Sequence, residues 1–370
     1  MQIPNRDELT IIGASARAAV ESAVRGGFAC HAIDRFGDQD LLRASESWVP
    51  LETRLSDPAD DAIISSLPNT SSRGVILLGG LERNLKATFE FLSGHSILGA
   101  SLDQYQHLRE RRTLDRLATR ANLLRPAQRE TVPANPRGWL FKANHSTGGM
   151  GVLHATDARR SGAKDGWFEQ QIFGRSFGAS FLSSRGNVAL IGVAASLRSG
   201  RSPRPFQYLG SIGPIALPEM CRERLLSFAR QVVAETDLLG LFGIDIVIDA
   251  RNQVWVLEIN PRWTASMELL EPSPAPDRVS LIRQHVEACF GRTIDTQPPA
   301  GGVRGKRILY ATSRCPFDRI DLEQRLPQGI RIADIPADAT VIDAGQPICT
   351  LLANGDAPRE VASRLAGYRG

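Results

Sequence analysis

The residues best suited to chemistry lie in 241–270, LFGIDIVIDARNQVWVLEINPRWTASMELL. Two β-rich runs, 243–248 and 254–259, flank the turn-forming DARNQ and predict a hairpin. Asp245 interrupts the first run, while Glu258 and Asn260 alternate around Ile259 and so share one face of the second. A carboxylate in an apolar strand is costly unless it is paired or binds a metal. The stretch therefore reads either as an edge hairpin with salt-bridged acids or as a site where Asp245, Glu258 and Asn260 hold a hard divalent cation, Mg²⁺ first and Mn²⁺ as the alternative. The ExNxR cluster favours the cation. Arg262 follows at once, a fixed positive charge whose fork geometry suits a carboxylate or phosphate.

A second cluster lies upstream. WLFKA at 139–143 predicts a strand carrying Lys142, followed by NHSTGGMG at 144–151 and a further short strand. Glycines let backbone N–H groups approach phosphate oxygens, and a lysine on the preceding strand adds a point charge, so the segment reads as a phosphate clamp or as an ordinary flexible hairpin. His145 reads as a loop residue. In WFEQQIF at 167–173, residues 169–172 look like a connector between two lobes, where backbone groups read an adenine edge and Glu169 takes an N–H or a ribose hydroxyl.

The first hundred residues supply the frame. A strand at 9–12 runs into Gly13, a small-residue helix ends at Gly26 and Gly27, and a second strand ends on Asp34, which is a doubly wound βαβ opening. GASARA lacks the later glycines of a dinucleotide fingerprint. Another strand at 74–78 leads into GGLERN. Arg17 and Glu82, at the carboxyl ends of these strands, are candidate substrate contacts or structural groups at helix N-termini.

Composition bounds the rest. At 370 residues, 42% hydrophobic and 23% charged, the chain is long enough for two or three domains with a sizeable core. A net charge of +4 is too small to imply nucleic acid. The arginine-rich run 109–129 predicts an amphipathic helix with a solvated basic face. The five cysteines are scattered without metal-ligand spacing and are expected to be reduced. With neither a signal-like start nor a bilayer-length apolar run, a cytoplasmic protein without membrane partners is expected. Residues 206–214, FQYLGSIGP, read as a glycine-punctuated loop that covers the site, and 221–239 as a helix. After EPSPAP and a helix at 278–290, the linker TQPPAGG leads to short strands that predict a small appended sheet.

Taken in order, the lysine strand, glycine loop, Glu169 connector and D…ExNxR hairpin resemble the ATP-grasp superfamily. The end segment, with KRILYA, ADIP and AGQPICTLLA, resembles the C-terminal domain of the branch related to biotin carboxylase. GASARAAVESAVRGGFACHAIDRFGDQD, LLGGLERN and YLGSIGP resemble that branch's ATP-dependent carboligases, a group associated with methanofuran and tetrahydromethanopterin-type one-carbon coenzymes. The resemblance implies an α/β and α+β fold, with a Rossmann-like domain at 1–100, ATP-grasp lobes at 101–295 and a small β-rich domain at 296–370.

It also implies roles. Lys142 contacts the α- and β-phosphates, Ser146, Thr147, Gly148, Gly149 and Gly151 cover the phosphates, and Glu169, Gln170 and Ile172 hold the adenosine. Asp245, Glu258 and Asn260 bind Mg²⁺, and Arg262 stabilises an acyl phosphate and the oxyanion formed from it. Where the family pattern has a second phosphate lysine, near 112–116, this chain offers only arginines. The implied reaction joins a small carboxylic acid to an amine through an acyl phosphate. One group member couples glutamate to tyramine, so glutamate or a similar amino acid is the expected acid, with its two carboxylates on Arg17 and Arg262. The competing readings are a carboxylase working through carboxyphosphate and a non-catalytic ATP-binding protein. No AMKM-type biotinyl motif supports the first, and the intact set Lys142, Glu258 and Asn260 argues against the second. Oligomeric state is not legible.

Overall fold

The computed structural model describes residues 7–53, 62–63, 66–67, 74–144, 147–199, 204–272, 278–292, 299 and 301–368. Ser146 and His145 lie outside the described residues.

The apolar runs of the opening residues form a four-stranded parallel sheet in the order Ser47–Pro50, Ala29–Asp34, Glu8–Ile12, Gly74–Leu77. Both faces are covered, as a parallel sheet requires. Ile11, Ala19, Val20 and Ala23 pack with Leu281, Ile282 and Val286 on one side, while Ile12, Ile33, Val75 and Leu81 form the core of the other. The helix Arg17–Arg25 stops at Gly26, after which Gly27 turns the chain at φ +87°. Asp34 ends the second strand and accepts N–H groups from Ala16, Phe36 and Gly37 and from the Trp48 indole. It thereby fixes the first strand-to-helix turn.

A small antiparallel sheet follows, ordered Gln128–Arg129, Gly166–Gln170, Trp139–Ala143, Val152–His154. Phe141 and Phe168 meet edge to face beneath it, packed with Ala155 and Ala158 of the helix Ala155–Ser161. Residues 171–174 join it to an eight-stranded sheet ordered Val254–Asn260, Gly240–Ile248, Arg175–Ser184, Asn187–Arg198, Tyr208–Gly213, Val303–Tyr310, Pro347–Gly355, Ile330–Ala333. The helix Glu219–Thr236 lays Leu225, Phe228, Ala229 and Val232 on the face formed by Phe181, Ile244, Ile246 and Val256.

Two sequence expectations change here. Residues 206–214 are not a covering loop, because Tyr208–Gly213 is an interior strand. Its glycines suggest a loop, yet they serve close strand packing: a Cβ on Gly210, at φ +135°, would lie 2.0 Å from the Lys306 carbonyl oxygen. The longer C-terminal strands likewise join the main sheet, while Val341–Ile342 pairs apart from it with Cys315–Pro316. Val303–Tyr310 pairs with Tyr208–Gly213 and continues the main one. Among the described residues, no helix is long and apolar enough to cross a membrane.

Candidate active site

The expected hairpin is present, with Gly240–Ile248 and Val254–Asn260 antiparallel across the turn at 249–253. Its register places Asp245 directly opposite Glu258. The Asn260 amide Nδ2 lies 3.3 Å from Asp245 Oδ2 and 3.4 Å from Glu258 Oε1. Burial, and then the Glu258 charge, push the Asp245 carboxyl up to about 8. Burial acts to raise Glu258 too, but the hydrogen bond from Asp245 and the charges of Lys142 and Arg109 hold it below the usual carboxylate range. The two carboxyls thus share a proton at neutral pH. A divalent cation can take that proton's place, and the donor set, two carboxylates with an amide oxygen, suits a hard ion. Reversing the Asn260 amide about its last torsion presents its oxygen to the same point. Among the described residues, no group of three or more His, Cys, Asp and Glu side chains is arranged to hold a metal, so the fit rests on this pair plus the amide.

Arg262 and Glu82, separate candidates in the sequence, are partners. Arg262 Nε and Nη2 donate to Glu82 Oε1 at 3.0 and 2.5 Å, Nη2 also donates to Asn260 Oδ1 at 3.2 Å, and Nη1 donates to the Trp263 carbonyl at 3.1 Å. Glu82 is buried and accepts the Gly80 N–H as well. Although burial would raise it, the Arg262 and Arg109 charges keep its pKa low. A Cβ on Gly79 would sit 2.9 Å from the Arg262 guanidinium, so glycine there admits the arginine beside the first sheet.

Lys142 and Glu169 are also paired. They project from the antiparallel neighbours Trp139–Ala143 and Gly166–Gln170, with Nζ 2.5 Å from Oε1. Glu169 is 2% exposed and accepts the Gln128 amide at 2.8 Å. Glu169 and Gln170, expected in the connector, instead belong to the strand Gly166–Gln170, where they pair with Leu140 and Trp139, and Ile172 lies in the connector to the large sheet. Thr147, Gly148, Gly149 and Gly151 lie between the Lys142 strand and the strand Val152–His154.

Arg17 differs from the open cation expected at the first turn. At 1% exposure it faces Glu268 (2.5 Å), Asp334 (2.9 Å), Glu21 (3.1 Å) and Asp40 (3.6 Å). Lys306 joins the network through Glu268 at 3.0 Å. Sequence reading did not single out Glu268 or Lys306, since nothing local to either marks a partner 38 positions away. Arg198 and Arg109 were missed as well, and both act electrostatically on the paired carboxyls.

Comparison with known proteins places this geometry. Residues 111–266 match the ATP-grasp domain family. A formate-dependent phosphoribosylglycinamide formyltransferase of Methylococcus capsulatus is 28% identical over 172 residues, 43% of this chain and 42% of that protein. The matches to curated relatives span only 41% and 42% of those relatives' lengths. Among solved structures, carboxyaminoimidazole ribonucleotide synthase from Aspergillus clavatus with ATP superposes at a TM-score of 0.69 with 13% identity, covering 98% of this chain and 97% of that one. Biotin carboxylase from Campylobacter jejuni gives 0.63 with 14% identity, covering 96% and 89%. The fold is that of ATP-grasp enzymes, with both α/β and α+β parts.

Proposed function

We propose that the protein is an ATP-dependent carbon–nitrogen ligase that activates a small carboxylic acid as an acyl phosphate and passes it to an amine. The observation that carries this reading is that Asp245 faces Glu258 across the hairpin, with Asn260 within hydrogen-bond reach of both and of the Arg262 guanidinium. Such an arrangement suits phosphoryl transfer, where the protein's work is positioning and charge stabilisation rather than nucleophilic attack.

In this reading Lys142 and residues 147–151 receive the phosphates, and Glu169 with Gln170 and Ile172 receives the adenosine. Mg²⁺, held by Asp245, Glu258 and Asn260, would supply charge neutralisation beside the phosphates. The substrate carboxylate oxygen attacks the γ-phosphorus and ADP leaves. The amine nitrogen then attacks the acyl carbon, phosphate departs and the amine loses a proton. Arg262, held by Glu82, presents a fixed guanidinium to the acyl phosphate and to the oxyanion formed from it. Arg17, balanced by four carboxylates, is left out of the substrate set.

The acid we favour is glutamate or a similar amino acid, and the acceptor an amine-bearing precursor of a one-carbon coenzyme. Incubation with ATP, Mg²⁺, glutamate and hydroxylamine traps an acyl phosphate as a hydroxamate. ADP release that requires bicarbonate, with no hydroxamate from any amino acid, would favour a carboxylase instead.

A further inference from the structure

The described part of the glycine-rich loop, residues 147–151, meets the chain at residues 204–208, where it enters the strand Tyr208–Gly213. The Tyr208 N–H donates to the Gly148 carbonyl at 2.8 Å. Phe206 meets His154, on the strand after the loop, edge to face at 5.1 Å, and Arg204 reaches the Met150 sulfur at 3.7 Å. Gly149 has φ +72°, and a Cβ on it would lie 2.0 Å from the Phe206 carbonyl oxygen. Gly148, at φ +60°, has nothing within 4 Å of the same position.

This contact is braced from behind. Arg198 Nη1 donates to the Phe206 carbonyl at 3.3 Å, and the Tyr310 hydroxyl donates to the Tyr208 carbonyl at 3.1 Å. Tyr310 belongs to Val303–Tyr310, which lies outside the matched ATP-grasp domain. The Tyr208 hydroxyl is itself tied to Ser211 Oγ at 2.8 Å.

We propose that residues 206–208 are the seat on which the glycine-rich loop closes, and that Tyr208, held from the C-terminal segment by Tyr310, is the positioning residue that latches it. The inference deepens the ATP reading and rests on it, because it says what the loop closes against. Three features support it. One donor of the large sheet is spent on the loop, the loop has no side chain where the seat approaches, and the seat is hydrogen-bonded to a strand distant in sequence. A closing contact of this kind transmits tension from the C-terminal strand to the nucleotide lobe, so Tyr310 acts on ATP without touching it.

Amide hydrogen exchange in peptides spanning Tyr208, read on the full chain with and without MgATP, tests the seat. Gly148→Ala and Gly149→Ala impose similar positive-φ strain, but only the second drives a methyl group into Phe206. Without nucleotide, Tyr208 should exchange about five- to tenfold faster in Gly149→Ala than in Gly148→Ala, the effect of losing one hydrogen bond. Tyr310→Phe should speed exchange about threefold and weaken MgATP binding by calorimetry to a similar degree. MgATP should slow exchange in wild type and Gly148→Ala but not in Gly149→Ala. Equal exchange in the two glycine variants would overturn the seat, and unchanged MgATP affinity in Tyr310→Phe would overturn the latch. If wild type does not bind MgATP, the ATP reading fails, and the comparison without nucleotide still decides the seat.

Discussion

Arg262 Nη2 and Glu82 Oε1 lie 2.5 Å apart, and this pair joins the segment after the hairpin 240–260 to the segment that follows the parallel strand Gly74–Leu77. The residues are 180 positions apart. With Glu82 at 4% and Arg262 at 13% side-chain exposure, neither charge is well solvated alone. Glu82→Ala should lower the unfolding free energy by about 3 kcal/mol, the low end for a buried pair because Arg262 keeps some solvent contact. Urea denaturation decides it: a loss below about 0.5 kcal/mol, the level of ordinary surface substitutions, would mean that the pair is not a brace.

Glu258→Gln removes one charge from the facing carboxyls without emptying volume. Mn²⁺ binding in the presence of ATP, followed by electron paramagnetic resonance, should weaken by about tenfold or more, and hydroxamate formation should fall by about 100-fold. The melting temperature should move by less than about 3 °C, since the amide keeps the volume and its oxygen can still accept the Asp245 hydrogen bond. Unchanged Mn²⁺ affinity would remove Glu258 from the metal set.

Gly210→Ala tests the joint between Tyr208–Gly213 and Val303–Tyr310. The added Cβ would need to occupy the position of the Lys306 carbonyl at an unfavourable φ. A loss of about 2 kcal/mol or more is expected on unfolding. A variant as stable as wild type would show that the two strands can separate freely.

His285 sets a pH limit. Its Nδ1 accepts the Leu241 N–H at 2.8 Å and its Nε2 faces the Leu98 carbonyl at 3.1 Å, which fixes the neutral Nε2–H tautomer. Burial outweighs the Leu98 hydrogen bond and lowers its pKa from 6.5 to about 4. The unfolded chain therefore binds a proton between those values that the folded chain refuses. Stability from this group is complete above pH 6.5 and is lost as pH falls toward 4, by about 3 kcal/mol in all. Comparing the pH slope of the unfolding free energy in wild type and His285→Gln checks it; parallel slopes would refute the assignment.

The hairpin, the Lys142 strand and the first βαβ unit were readable because alternation, glycine stops and polar interruptions are local signals. The partnerships were not. Arg17 meets Glu268 and Asp334 across 251 and 317 positions, distances over which a single sequence carries no pairing information. Glycine misled at 208–213 for a related reason: Gly210 marks a close backbone approach by Lys306, and only the partner strand distinguishes that from a turn. Lys142 lies on the strand expected for it, whereas Glu169, read as part of a connector, lies inside the partner strand; their ion pair follows from register, which a sequence does not print.

The unbroken eight-stranded sheet also bears on how this protein can be divided or recombined. Tyr208–Gly213 keeps a partner on each side only while Val303–Tyr310 is present. Cut away the C-terminal strands, and an interior strand becomes a bare edge with unpaired N–H and C=O groups, a template for joining another molecule. The segment 111–266 is therefore not a cassette. Any fragment, fusion or domain exchange that separates residues 208–213 from 303–310 should trade a folded protein for aggregate, so the two regions must be inherited together.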